Sequence, residues 1–130
     1  MSLVRPCTLG LIATSLVVAI SFSAPKPEKP AADWPVFRGN DLQTGVAAST
    51  LPEKLEVLWK FETKDSIEGT AAIVGDTVYV GCTDEFLYAI DLASGREKWK
   101  YKGAAFQAPA SVHEGRVYIG DSDGTFHCVD

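Results

Sequence analysis

From Gly69 onward the chain alternates short runs of apolar residues with turn-forming residues every few positions. Gly69–Val74 is a run of small and apolar residues, and Gly75-Asp76 follows it as a tight turn. Thr77–Gly81 is rich in Val and Tyr and reads as a second strand. Thr83-Asp84-Glu85 turns the chain, Phe86–Ile90 reads as a third strand, Asp91–Gly95 turns again, and Arg96–Tyr101 reads as a fourth. Four antiparallel strands joined by short turns are predicted within about 35 residues. A second series follows with Gln107–His113, Arg116–Gly120 and Thr125–Val129, and it lacks a fourth strand.

The two series are copies of one another. Trp59-Lys60-Phe61 returns as Trp99-Lys100-Tyr101, 40 positions later, and Val78-Tyr79-Val80-Gly81 returns as Val117-Tyr118-Ile119-Gly120, 39 positions later. At the 39-residue offset, Ala71/Ala110, Val78/Val117, Tyr79/Tyr118, Gly81/Gly120, Asp84/Asp123 and Asp91/Asp130 are identical. The slip of one position falls between the Trp and the Ala, where a loop absorbs it. A repeat of about 40 residues built from short strands is the signature of propeller blades. The predicted fold is therefore all-β: antiparallel four-stranded blades of a β-propeller, about two of them and the second incomplete, following an N-terminal signal segment.

The pattern before residue 58 differs. Arg5 is the only charge in the first 25 residues, and Leu9–Phe22 is a continuous stretch of apolar and small residues. It is short for a bilayer span, which needs about 20 residues. A basic start, an apolar middle and the small residues Ser21 and Ser23 describe a secretory signal cut before Ala24. An uncleaved membrane anchor is the alternative. Cys7 precedes the apolar stretch, and Val4-Arg5-Pro6 before it is no lipobox. Residues 1–23 are thus read as a signal peptide, 24–57 as a spacer and N-terminal segment, and 58–130 as the repeats. Three prolines between Ala24 and Ala32 exclude a helix or a central strand there. In Asp33–Gly39, Trp34 and Phe37 are expected to pack on the main body, and Arg38 to hydrogen-bond loop carbonyls.

Composition narrows the functions. The 130 residues carry 12 basic and 17 acidic side chains, a net charge of -5, and loss of the signal with Arg5 makes it one unit more negative. That balance excludes a nucleic-acid backbone as partner, which requires a basic face. Eleven Gly and seven Pro favour a strand-and-turn chain over a helical bundle. Cys82 and Cys128 remain after export, and spacing does not decide between a disulfide and two small buried hydrophobes.

Ala89-Ile90-Asp91-Leu92-Ala93-Ser94-Gly95-Arg96-Glu97-Lys98-Trp99 fits Ala-x-Asp-x-x-Thr-Gly-x-x-x-Trp with Ser94 in place of Thr. It resembles the tryptophan-docking motif of quinoprotein-type β-propellers, the PQQ-like repeats. Trp34-Pro35-Val36-Phe37-Arg38-Gly39 resembles the start of many exported proteins of that kind. The resemblance covers Asp33–Asp130. It implies that Trp99 docks between blades, and that Trp59 does so for the blade preceding the first. Leu58–Thr63 is then the strand that closes a ring, and the chain is the N-terminal part of a longer propeller whose remaining blades lie beyond Asp130. The residue types suit the motif: Asp91 can accept turn amides, Gly95 can take positive φ, and Trp99 offers a large flat surface, expected to be buried.

Candidate chemistry is thin. Asp121-Ser122-Asp123-Gly124 has two acids of a calcium loop but lacks its remaining ligands, and a hairpin tip at Asp123-Gly124 is preferred. His113 and His127 show no metal-ligand spacing and are read as surface or packing residues. No phosphate loop or nucleophile elbow is present. No catalytic, cofactor or metal residue is therefore assigned; the site residues are the structural motif Ala89, Asp91, Ser94, Gly95, Trp99 and Trp59. The expectation is an exported periplasmic or cell-envelope scaffold that binds proteins, glycans or other envelope components without catalysis. Such repeats also occur in the propeller lipoprotein of the outer-membrane β-barrel assembly machine and in PQQ dehydrogenases. The alternative is the N-terminal part of a PQQ- and calcium-dependent quinoprotein dehydrogenase.

Overall fold

The computed structural model describes residues 33–130; the signal segment and the proline-rich spacer up to Ala32 lie outside the described residues. Among these, seven strands form two antiparallel sheets: β1 Ala72–Val74, β2 Thr77–Gly81, β3 Phe86–Asp91 and β4 Glu97–Lys102 in the first, β5 Ser111–His113, β6 Arg116–Gly120 and β7 Phe126–Val129 in the second. Each sheet runs in chain order, as consecutive hairpins dictate. The registers repeat as the sequence does: Val78 faces Ile90, and Val117 faces Val129. This is the all-β arrangement of successive propeller blades, one of four strands and one of three.

The first strand of each sheet starts later than the apolar pattern predicts. Gly69–Ala71 and Gln107–Ala110 stand outside the ladders. They serve contacts between the sheets: a Cβ on Gly69 would come within 2.5 Å of the Ala108 carbonyl oxygen, and the Phe106 amide donates to the Cys82 carbonyl. Pro109 has no amide to give a ladder.

Side chains of the first sheet alternate between two cores. Ala72 and Leu87, with Val74, Tyr79 and Trp99 beside them, meet Ala110, Val112, Val117 and Ile119 of the second sheet. Phe106, from the connection between the sheets, is completely buried at their centre. On the opposite face, Val78, Val80, Tyr88 and Ile90 pack under Trp59 and Phe61. Burial of both faces explains why Leu87–Ile90 is a continuous buried run rather than an alternating one.

Leu58–Thr63 does not form the expected strand: among the described residues it joins no ladder. It lies across the face of the first sheet, with Trp59 near Leu92 and Phe61 near Tyr88, so its direction opposes that of β3. The reason is geometric. The fourth place in the first sheet is filled by β4, the repeat of this segment 40 positions later, so the segment meets the sheet through its face.

At the other end of the sheets, Trp34 exchanges both backbone hydrogen bonds with Ile73, and the Val112 amide donates to the Pro35 carbonyl. Asp33–Pro35 therefore straddles β1 and β5. Trp34 packs on the body as expected, whereas Phe37 is 45% exposed. The Arg38 guanidinium makes no hydrogen bond to a loop carbonyl among the described residues. Its own carbonyl accepts from the Gly45 amide, and its guanidinium lies beside Gly45, with Nε 3.4 Å from where a Gly45 Cβ would be.

Candidate functional site

The turn between β3 and β4 is built from the motif residues. Asp91 Oδ1 accepts from the Ser94 amide at 2.8 Å and from the Ser94 hydroxyl at 2.6 Å, and the Gly95 amide donates to the Asp91 carbonyl. Ser thus supplies the hydroxyl that Thr gives the motif elsewhere. The Ser94 hydroxyl and amide hold the Asp91 carboxyl below its ordinary range, and Lys98 adds to this. Lys98 reaches Asp76 Oδ1 and Thr77 Oγ1, each at 2.8 Å, and so ties β4 to the β1–β2 turn. The hydrogen bond to Asp76 holds the Lys98 ammonium above its usual range. Ala89 is completely buried opposite Trp99 in the ladder.

Gly95 adopts φ +69°, which Gly accommodates without a Cβ clash. Its missing side chain also makes room: a Cβ there would fall 2.5 Å from the Trp59 ring. Trp59 lies flat on this glycine, and its Nε1–H donates to the Leu92 carbonyl at 2.8 Å. The ring is fixed by one hydrogen bond and one bare backbone surface, both supplied by the motif turn. Trp99 is tilted against Tyr79, with ring centroids 5.9 Å apart, and joins the core between the sheets. It is half-buried rather than buried. One side of the ring has the core, and among the described residues no turn of the Asp91–Gly95 kind covers the other.

A second constellation escapes the sequence reading. Asp121 is 4% exposed in its side chain, and it gathers six hydrogen bonds. Its Oδ1 accepts the Asp123 and Thr125 amides; its Oδ2 accepts the Ala104 amide and lies 2.8 Å from His127 Nε2. The other two are main-chain bonds: its amide donates to the Thr125 carbonyl, and its carbonyl accepts from the Gly124 amide. The hydrogen bond from His127 is the main reason its carboxyl falls to about 2. His127 Nδ1 is 3.2 Å from the Tyr101 hydroxyl, and the ring meets Tyr101 and Phe106 edge to face. His127 is therefore a half-buried junction between the sheets, whereas His113 is exposed.

The counterpart in the first sheet uses other residues. Tyr88, 39 positions before His127, donates its hydroxyl to Asp84 Oδ2 at 2.8 Å and meets Phe61 edge to face. Burial pushes the Tyr88 phenol up, with the Asp84 carboxylate adding to the shift. Burial also acts to raise Asp84, but hydrogen bonds from Tyr88 and the Lys64 amide outweigh it and hold the carboxyl low. The identity Asp84/Asp123 therefore misleads: in the second sheet Asp121, aligned with Cys82, takes the structural role. The Asp121–Gly124 turn is a hairpin tip, with Gly124 at φ +81°. The backbone between sheets repeats more faithfully, since Thr83 donates to Ser66 and Ser122 donates to Ala105, each pair displaced by 39. A residue-by-residue comparison of the copies around Tyr88 and His127 was the available signal for this site.

Cys82 is buried with its thiol directed at the Asp65 and Ser66 carbonyls, while Cys128 is exposed; the two are not joined. Beside Trp59 and Phe61 a groove of about 500 Å³ is left, lined by Ile67, Val78, Val80 and Ile90. A more polar cavity of about 480 Å³ lies between the N-terminal loop and the second sheet, with Asp41, Gln43 and Ser111 on its walls. These three side chains make no hydrogen bonds among the described residues.

Residues 45–130 match the profile of a PQQ-repeat family described as outer membrane protein assembly factor BamB. A 1-butanol dehydrogenase (cytochrome c) of Thauera butanivorans is 27% identical over 92 residues, 60% of this chain and 13% of that protein. The quinoprotein glucose dehydrogenase of Escherichia coli is 35% identical over 86 residues, 53% of this chain and 11% of that protein. The serine/threonine-protein kinase AfsK of Streptomyces coelicolor is 30% identical over 116 residues, 83% of this chain and 14% of that protein. The chain thus spans less than one sixth of the length of each of these relatives.

Proposed function

We propose a binding-scaffold function, and its premise is family membership: the chain belongs to the PQQ-like β-propeller repeat family. One observation carries the reading. The polar atoms of the motif and of both hairpin turns are already engaged in holding strands and sheets together. Asp91 is held by Ser94, Trp59 by Leu92, Asp84 by Tyr88, and Asp121 by three amides and His127. Chemistry-bearing side chains used in this way build a surface rather than a reaction centre. That surface meets other proteins or envelope components, and the polar cavity at Asp41, Gln43 and Ser111 supplies uncommitted hydrogen-bonding groups for them. The place of action is the periplasm or cell envelope, reached through the signal at residues 1–23. N-terminal sequencing of the exported chain should begin at or near Ala24; an intact Met1 would oppose cleavage.

Two relatives named as dehydrogenases favour a second reading, the N-terminal part of a PQQ- and calcium-dependent enzyme. The carboxylates of Asp84, Asp91 and Asp121 already accept amide and side-chain donors, and calcium would have to displace these. The readings separate on adding PQQ with calcium and removing the excess. The scaffold retains no quinone absorbance, and stoichiometric retention would favour the enzyme.

A further inference from the structure

The first strand of each sheet turns one edge away from its own hairpin, and the N-terminal segment lies on both of those edges. β1 and β5 are the strands at which the two sheets approach one another. The blades of a propeller surround a central channel, and the edges at which adjacent sheets converge face it. These edges therefore look towards the axis and not towards a neighbouring blade, and blades added to the ring leave them as they are.

Ile73 and Val112 stand 39 positions apart, at the same point of the repeat. The amide of each points to its inner edge and donates to the segment: Ile73 to the Trp34 carbonyl at 2.9 Å, Val112 to the Pro35 carbonyl at 2.8 Å. Successive carbonyls of an extended chain point to opposite sides, so Trp34-Pro35 is wedged between the two edges. Trp34 also donates its own amide to the Ile73 carbonyl at 2.7 Å, and Pro35 has no amide to leave unpaired against β5. A fourth bond runs from the Gly75 amide to Asp33 Oδ1 at 2.8 Å.

In these four bonds the sheets offer only main-chain groups, so the edges read an extended backbone and not a particular side chain. The occupant is lightly held, for no residue of Asp33–Gly45 is buried. Its side chains turn to one another instead. The Trp34 ring covers Gly39, where a Cβ would fall 2.7 Å from it, Asn40 bonds Thr44, and the Gly45 amide closes on the Arg38 carbonyl. A segment with few buried contacts opens at a lower free energy than the core it rests on. We propose that the inner edges of β1 and β5 are a docking site for an extended peptide strand of a partner protein, with Trp34-Pro35 as its resident, displaceable occupant. The inference rests on the scaffold reading and gives the partner its form: a strand whose successive carbonyls accept from Ile73 and Val112, with no amide required at the second position.

Amide exchange and peptide competition in the full chain test this. In the unmodified protein the Ile73, Gly75 and Val112 amides should exchange through one common opening, well before the β2–β3 ladder. Asp33→Ala, at an exposed position, should speed Ile73 and Val112, which Asp33 does not touch, by roughly tenfold, the loss of one hydrogen bond to a charged group. Asp33→Asn keeps an acceptor and should speed them much less. Trp34→Pro removes the Trp34 amide and should release the segment. In that variant a synthetic peptide of residues 33–45, at millimolar concentration, should slow exchange at Ile73 and Val112. It should do so far less in the unmodified chain, whose tethered segment competes. The same peptide N-methylated at Trp34 should protect neither amide. Exchange of Ile73 and Val112 only with global unfolding overturns the proposal, since the occupant then never leaves. So does a peptide that leaves both amides unprotected in Trp34→Pro. Quinone retained in the PQQ test would overturn the scaffold reading alone, because the exchange results stand without it.

Discussion

The two sheets are built from one sequence pattern, yet they are covered differently. The first has four strands and both faces packed, by the second sheet on one side and by Trp59 and Phe61 on the other. Among the described residues the second has three strands and one packed face, and Phe126 on its outer side is 74% exposed. Equivalent positions consequently contribute unequal stability. A repeat protein's stability resides in the contacts between neighbours as much as within each repeat. The junctions have also diverged in chemistry. Phe61 and Tyr88 make the first a largely apolar contact with one hydroxyl donor, while Tyr101, His127 and Asp121 make the second a polar chain that runs inward from an exposed Tyr101.

The largest expected effect separates Phe106 from Ile67, residues at the same point of the repeat. Phe106→Ala should cost roughly 3–5 kcal/mol, because a fully buried aromatic leaves a cavity. Ile67→Ala should cost less than about 1 kcal/mol, because its side chain is already half in water. Equal costs in urea unfolding would mean that the groove is covered in solution.

Next comes the pair Gly95 and Gly115. Both have positive φ, +69° and +80°, but only Gly95 is roofed by an aromatic ring; a Cβ on Gly115 meets nothing within 4 Å. Alanine at Gly115 should therefore cost about 1–2 kcal/mol from the backbone alone. Alanine at Gly95 should cost more and shift Trp59 fluorescence to the red in a protein whose other two tryptophans are replaced by Phe. An unchanged emission maximum would show that Trp59 does not depend on that glycine.

A smaller contrast concerns acid. The Asp121 carboxyl lies at about 2 in the folded chain against 3.8 ordinarily, so its contribution is complete above about pH 4. It is lost as pH falls towards 2, since the unfolded chain takes up the proton first. Asp123 and Thr125 amides should lose exchange protection across that window in the unmodified protein. In Asp121→Asn their protection should be lower from the start and nearly flat with pH; an unchanged acid profile in that variant would assign the loss elsewhere. The smallest effect is at Phe126. Phe126→Ser should change the stability of the monomer by no more than about 0.5 kcal/mol, against several for Leu87→Ser at the equivalent buried position.

The sequence by itself determined seven strands up to the starts of β1 and β5, the order of the hairpins and the register of repetition. These follow from local alternation of apolar residues and from Gly, Asp and Ser at turns, which act over a few residues. The turn Asp91–Gly95 was legible for the same reason: its hydrogen bonds span four residues. Only the tertiary structure decided which face of each sheet is covered, since that depends on the neighbour rather than on the strand. It placed 58–63 over a face instead of in a ladder, left Trp99 half-buried, and made Asp121 rather than Asp123 the acid of the second turn. It also brought His127 to Tyr101, 26 residues apart and on different sheets, a contact that no local pattern encodes.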